Sequence, residues 1–217
     1  EPSLGQFSAY YTPPVRRAEV PSRGRFGVRA LLAPDLNAVS TMRTFAYGNS
    51  FGLLAEYEIV PRWRVQVGAI RSQKDYTSTP DDYTPPVEGY WQRWGKPQTI
   101  DARCAILDVP VNVRFDIQRR SRHDLFVSTG LSTYAMLNEV YEYHYATRPM
   151  YTHQYRQRSR HLASTLNFSA GYERQLGAGF SLQVEPYLKL PLAGVGWGSV
   201  RLFSTGLHLS LGFHRVR

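Results

Sequence analysis

Phe180-Ser181-Leu182-Gln183-Val184-Glu185-Pro186-Tyr187-Leu188-Lys189 decides the fold, together with Phe203-Ser204-Thr205-Gly206-Leu207-His208-Leu209-Ser210-Leu211-Gly212-Phe213. In the first stretch Phe180, Leu182, Val184 and Leu188 alternate with Ser181, Gln183, Glu185, Tyr187 and Lys189. In the second, Phe203, Thr205, Leu207, Leu209, Leu211 and Phe213 alternate with Ser204, Gly206, His208, Ser210 and Gly212. Successive side chains of a strand point to opposite faces, so a period of two gives two strands, each apolar on one side only. Each is about ten residues long, the length that a tilted strand needs to cross a bilayer. Gly194, Gly196 and Gly198 mark the connection between them.

The same rhythm recurs upstream. Strand 1 is expected from about Arg25 to Pro34, with a loop over Asp35 to Ala46. Strand 2 covers about Tyr47 to Val60, and the tight turn Pro61-Arg62 leads into strand 3, about Trp63 to Ser72. Lys74 to Ile100 reads as a long loop in which Pro80, Pro85, Pro86 and Pro97 interleave with aromatics. Strand 4 covers about Asp101 to Ile117, and Pro110 inside it predicts a local irregularity. Strand 5 begins near Asp124, the tyrosine-rich loop runs from Asn138 to Arg160, and strand 6 covers about His161 to Glu173. The total is eight strands joined by alternating long and short connections. Closed bacterial barrels have an even strand number, with short periplasmic turns and long extracellular loops. The expectation is therefore an all-β chain, an eight-stranded antiparallel transmembrane barrel with periplasmic termini. Residues 1–24, with Pro2, Pro13, Pro14 and Pro21, read as a periplasmic leader or linker, and residues 25–217 as the barrel.

A soluble eight-stranded barrel would show the same alternation with its apolar stripe turned inward. Three features favour apolar-out. Small side chains fill the polar stripe (Gly130, Ser132, Asn167, Ser169, Gly171, Gly206, Ser210), as a narrow lumen requires. Trp63, Phe115, Phe180 and Phe213 sit near strand ends, as an interfacial girdle does. The charges on the polar stripe are of both signs: Glu56, Glu58, Asp108, Asp116 and Glu185 are available to Arg64, Arg114 and Lys189. His208 shares that face, and the set predicts a lumen network of ion pairs that plugs the barrel.

Composition is compatible with this reading. The 217 residues carry a net charge of +9, and mean hydropathy is −0.38 because lumen and loops dilute the apolar stripe. No run approaches the roughly 18 apolar residues of a membrane helix. Cys104 is the sole cysteine, which excludes an internal disulfide and any multi-cysteine metal centre. The arginines are spread over strands, turns and loops, so nucleic acid is not an expected partner. Outer-membrane lipid, lipopolysaccharide and another envelope protein are. Arg148, Arg156, Arg158 and Arg160 suit lipopolysaccharide phosphates or a solvated rim.

Several stretches together carry a family likeness: Val60-Pro61-Arg62-Trp63-Arg64-Val65-Gln66-Val67-Gly68, Ile106-Leu107-Asp108-Val109-Pro110-Val111-Asn112-Val113-Arg114-Phe115-Asp116, Pro186-Tyr187-Leu188-Lys189-Leu190-Pro191-Leu192, Gly194-Val195-Gly196-Trp197-Gly198 and Leu202-Phe203-Ser204-Thr205-Gly206. With them the chain resembles the small outer-membrane β-barrel domains of Bacteroidota over about Arg25 to Phe213. One branch of that group comprises the C-terminal barrels of dual-membrane-spanning anti-sigma factors; others are small barrel subunits beside larger outer-membrane machines. The resemblance implies a location in the outer membrane of a Gram-negative bacterium and a role as anchor or interaction subunit. The tail His214-Arg215-Val216-Arg217 departs from a chain that ends on its last aromatic.

Candidate chemistry is sparse. His208 with Ser210 or Ser204 is a conceivable base and nucleophile for a lipid A-modifying enzyme, but no third member or oxyanion hole is recognisable, and a hydrogen-bonded lumen histidine is the simpler reading. Glu142, His144, His153 and His161 lack diagnostic metal spacing, so neither a metal nor another cofactor is expected. Tyr90, Trp91, Trp94, Tyr141, Tyr143, Tyr145, Tyr151 and Tyr155 crowd the two longest connections. Tyrosine and tryptophan are typical interface anchors, so these residues are the candidate surface for a partner protein or glycan. Catalytic residues are not expected.

Overall fold

The computed structural model describes residues 23–39, 44–85, 87–155 and 159–216. Nine strands form one antiparallel sheet: β1 (Arg23–Val39), β2 (Ala46–Val60), β3 (Trp63–Ser78), β4 (Thr99–Arg119), β5 (His123–His144), β6 (Tyr151–Tyr155), β7 (Arg160–Gly177), β8 (Phe180–Pro191) and β9 (Leu202–Val216). A five-residue helix, α1 (Tyr90–Trp94), lies between β3 and β4. Strands β1 to β6 pair in sequence order, as do β7 to β9; β5 also pairs with β7 and β1 with β9, so the sheet closes on itself. Eight strands make the barrel. The ninth, β6, pairs with the upper half of β5 (Glu139↔Tyr155 to Tyr143↔Tyr151), while β7 takes the lower half (His123↔Arg174 to Ala135↔Arg160). β6 therefore continues the line of β7 above the membrane.

The strands outrun the sequence expectation. Asp35 to Val39, expected as loop, completes β1; Lys74 to Ser78 completes β3; Asn138 to His144 completes β5. The expected leader falls outside the described residues up to position 22, and Arg23 and Gly24 already belong to β1. Pro110 produces no register shift: Val67↔Val111 is followed by Ile70↔Asp108 in unchanged register, and Pro110 sits opposite Ser132. A proline needs only a position at which no ladder bond requires its missing N–H. The β4–β5 irregularities lie instead at Ala105/Ile106, where Leu137 is the extra residue, and at Asp116/Gln118.

The outer face carries the apolar stripe. Phe51 and Leu53 on β2, Val67 on β3, Val111 on β4, Val127 on β5, Phe168 on β7, Leu182 on β8 and Leu211 on β9 are all exposed. Trp63 and Phe115 pair across β3–β4 with ring centroids 4.7 Å apart, and Phe180 and Phe213 pair across β8–β9 at 5.1 Å, both at the short-turn end. The inner face of the same strands holds Arg29, Glu56, Arg64, Arg114, Asp116 and Glu173, all buried. A soluble barrel inverts this arrangement; an exposed continuous apolar girdle around a charged interior is stable only in lipid. The short turns define the periplasmic end and the long connections the extracellular one.

Val111 lies midway along the lipid-facing stripe of β4 and is 50% exposed. Val111→Arg is expected to destabilise the barrel by about 2–4 kcal/mol in urea unfolding from lipid vesicles, the cost of a cation near the bilayer midplane.

Candidate functional site

The interior divides into two compartments of opposite chemistry. The lower one is ionic. Arg114 lies at its centre: Nε donates to Asp116 at 2.8 Å, Nη2 to Glu173 at 2.6 Å and Nη1 to Gln183 at 2.9 Å. Its guanidinium also covers the Phe126 ring at 3.7 Å. Phe126 can lie flat across the lumen because Gly171 faces it; a Cβ at Gly171 would sit 2.2 Å from the ring. Arg29 joins Glu56 at 2.7 Å and Glu173 at 3.0 Å. Arg64 approaches Glu56 at 3.7 Å, Glu58 at 3.4 Å and Asp116 at 3.5 Å, and Arg119 grips both oxygens of Glu58 at the periplasmic rim. Alternation brings these groups together. The charged groups are inward positions contributed by five strands, β1, β2, β3, β4 and β7, and charges confined in a space this narrow persist only when paired.

A second tier sits above it. Lys74 meets Asp35, and Lys189 meets Asp108. Tyr187 donates its phenol to Asp35 at 3.1 Å, and Ser50 donates to the same carboxylate at 3.1 Å. Gln183 reaches up to Glu185 at 2.6 Å and so links the tiers. His208 faces the lumen with Nδ1 3.6 Å from Glu185 and its ring stacked on Tyr187 at 4.2 Å. Neither candidate serine partner is bonded to it: Ser204 donates to Asn37 at 2.6 Å, and the Ser210 hydroxyl has no hydrogen-bond partner among the described residues.

Every residue of the expected lumen set thus lies on the inner face, but the set was incomplete. Arg29, Glu173, Gln183, His214, Asp35 and Lys74 also belong to it. Arg29 was readable as the residue between Val28 and Ala30 on the polar side of strand 1. Asp35 and Lys74 carried no such signal, because each fell in a segment that reads as loop.

Above the girdle the lining becomes apolar. Tyr76, Tyr83, Ile100, Ala102, Cys104, Ile106, Tyr141, Tyr143, Val195, Val200 and Leu202 pack into one core inside the extended strands. The connection between β8 and β9 folds into the mouth: Val195 and Val200 pair, and Trp197 donates its backbone N–H to Glu139 at 2.8 Å. The β3–β4 connection closes over it, with Thr84 N–H bonded to Gly198 O at 2.8 Å. Tyr83 is the centre of the lid, with Trp91, Tyr141, Tyr143 and Trp197 rings all within 6.3 Å of its own. This corrects the expectation for two residues. Tyr141 and Tyr143 are fully buried inside the cap rather than offered at the surface, because beyond the bilayer the inward side of β5 becomes the apolar one. Tyr90, Trp91, Tyr145 and Tyr155 are half-buried, and Trp94 and Tyr151 are exposed. His144 pairs with Asp101 at 3.0 Å on the outer face, and among the described residues no cluster of three metal-ligating side chains occurs.

Two outcomes follow from this geometry. Arg114→Met strands Glu173 and Asp116 without their shortest cation contacts, and the expected loss is about 3–5 kcal/mol in urea unfolding from detergent. In the cap, burial raises the phenol pKa values of Tyr83 and Tyr143, whose hydroxyls share a 2.9 Å hydrogen bond. The folded chain holds these protons after the unfolded chain, with its ordinary value of 10.0, has lost them. The cap is therefore indifferent to pH below that value and loses stability as pH rises above it. Tyrosinate absorbance should appear together with loss of near-ultraviolet dichroism, and Tyr83→Phe should weaken that coupling.

Neither a protein-family model nor a curated protein sequence matches the chain. Solved structures match it in fold. Neisserial surface protein A superposes with a TM-score of 0.56 at 15% identity, over 89% of this chain and 99% of its own. Ail, the attachment invasion locus protein of Yersinia pestis, gives 0.48 at 11% identity over 89% and 100%. The N-terminal β-barrel domain of OprF from Pseudomonas aeruginosa gives 0.38 at 10% identity over 85% and 97%. The first of these carries the likeness, and at such identity it is a likeness of fold. Together with the lipid-facing girdle, it makes this chain a small β-barrel of the Gram-negative outer membrane.

Proposed function

We propose that this chain is a non-enzymatic barrel, a sealed anchor that holds an interaction surface at the cell exterior. It serves as a subunit of a larger outer-membrane assembly or of a transenvelope signalling protein. The observation that carries the reading is the cap: a closed apolar core above the membrane that ends in half-exposed Tyr and Trp rings. A barrel whose only task was conduction would leave its mouth open, whereas this one spends two long connections on closing it. The ion-paired lumen beneath supports the same view, since an eight-stranded interior only just accommodates side chains and here they are long and locked.

The alternative, lipid A modification, finds less support. His208 has a carboxylate and a phenol ring as neighbours rather than a nucleophile, and general-base catalysis requires the base within hydrogen-bond reach of the group it activates.

Planar-bilayer recording should show no steady conductance, and His208→Ala should leave the lipid A mass spectrum unchanged; a stable channel or an altered spectrum refutes the sealed, non-enzymatic reading. The interaction surface is tested separately. A photo-crosslinker in living cells at Gln92 or Thr152, both exposed on the cap, should yield a discrete adduct, and one at Val111 on the lipid face should not. Silence at both cap positions would leave an anchor without a partner.

A further inference from the structure

Between α1 and the β5–β6 hairpin the cap encloses a cleft of about 450 Å³, lined by Tyr90, Trp94, Tyr145, Arg148, Tyr151 and Tyr155 among others. That size falls in the roughly 300–1,000 Å³ range of pockets that enclose small ligands. Cap packing does not account for the cleft, because Trp94 and Tyr151 are each 54% exposed at its walls.

We propose that this cleft binds an acidic saccharide, with the sugar rings against the aromatic walls and a carboxylate on Arg148. The inference rests on the reading of the cap as a binding surface and names the ligand class of that surface.

The cation is held in place before any ligand arrives. Arg148 Nη1 donates to the Trp94 carbonyl at 3.0 Å, and the guanidinium carbon lies 5.1 Å from the Tyr145 ring centroid. Gly95 permits this approach: a Cβ there would sit 2.7 Å from Nη2. One donor is thus committed to the backbone, and the planar fork keeps others for a carboxylate. Among the described residues no carboxylate pairs with Arg148, and none lines the cleft. Two acids lie on the adjoining segment of β5: Glu142 is opposite Thr152, on the other side of the sheet from Tyr143 and Tyr151, and Glu139 is buried beneath the cap, where it accepts from the Tyr141 hydroxyl and the Trp197 N–H. A fixed, unneutralised cation selects for negative charge.

The walls select the rest of the ligand. Aromatic faces are electron-rich and attract the polarised C–H face of a pyranose ring, while phenol and imidazole groups at the ring edges (Tyr151 with His153, 3.3 Å apart) can serve its hydroxyls. A peptide would be read chiefly by main-chain bonds along a strand edge. β6 leaves one edge unpaired among the described residues, but the groups that line the cleft are chiefly ring faces and one guanidinium.

The test uses the full chain in lipid nanodiscs and isothermal titration with the trimer of galacturonic acid. Its methyl ester is the control, with the same rings and no charge. The acid should bind about tenfold tighter or more, in line with a charge-assisted bidentate contact. Arg148→Ala should bring the acid down to the level of the ester. Trp94→Ala should weaken both ligands, and Arg122→Ala, at the periplasmic turn, should affect neither. Retained heat-modifiable migration on gels shows that each variant is folded. Equal affinity for acid and ester, binding of neither, or indifference to Arg148→Ala overturns the proposal. Displacement of the trimer by pentaglutamate at lower concentration overturns the saccharide class in favour of an acidic peptide. Cap cross-links that persist while no saccharide binds would sink the ligand class alone and leave the interaction surface standing.

Discussion

The ion pair between Arg114 and Glu173 is the constraint on which the barrel depends. The two residues sit on β4 and β7, which are not neighbours in the wall, and their side chains meet across the lumen at 2.6 Å with no exposure to solvent. Taking such ions out of water costs several kcal/mol each, recovered only when the geometry supplies every missing partner. Arg29 reaches the second oxygen of Glu173 from β1, Asp116 takes Arg114 from its own strand, and Glu56 takes Arg29 from β2. Strands from all sides of the barrel are therefore tied to one carboxylate. A register slip on any of them turns its charged residues toward lipid, so the network specifies the pairing as well as neutralising the interior.

That constraint explains the reversal of chemistry along the barrel axis. Where lipid surrounds the wall, the outer face must be apolar and the polar side chains have only the lumen to occupy. Where water surrounds it, the outer face can be polar and the apolar side chains move inside. β5 carries both regimes. Leu125, Val127 and Leu131 point out within the girdle, whereas Tyr141 and Tyr143 point in above it. The extra residue Leu137 lies at the change, and its bulge sets the phase of the upper segment. The barrel thus has a charged waist in the membrane and a small protein-like core standing on top of it.

The same reversal decides what could be read from the chain. Strand number, turn positions and the inward set were legible wherever lipid enforced one apolar face, as at Glu56, Arg64 and Lys189. The signal disappears above the girdle. On β3 the outward residues Gln73, Asp75 and Thr77 are polar, and so are inward Ser72, Lys74 and Ser78, so no alternation marks the strand. Hence Lys74, like Asp35, read as loop. On β5 the alternation persists with its sense inverted, and Tyr141 and Tyr143 looked like surface anchors because the tyrosines of a solvated loop and those of a buried core have the same composition. Phe126 is a different case. It breaks the polar stripe of strand 5, and only the cross-lumen stack under Arg114, in the space Gly171 leaves, gives it a place.

A binding surface at the end of a barrel needs rigidity, because a side chain that must be ordered on binding subtracts its lost freedom from the affinity. Here the cap makes the connections into one body: α1 is tied to the β5–β6 turn through Arg148, Tyr155 stacks on Trp197 at 4.5 Å, and Trp197 is anchored to Glu139 of β5. The described parts of the β3–β4, β5–β6 and β8–β9 connections are therefore fixed to one another, and through β5 to the barrel wall below. β5 belongs both to the wall around the charged waist and to the core of the cap, so the cap stands on the barrel as a continuation of its wall rather than as a set of separate loops.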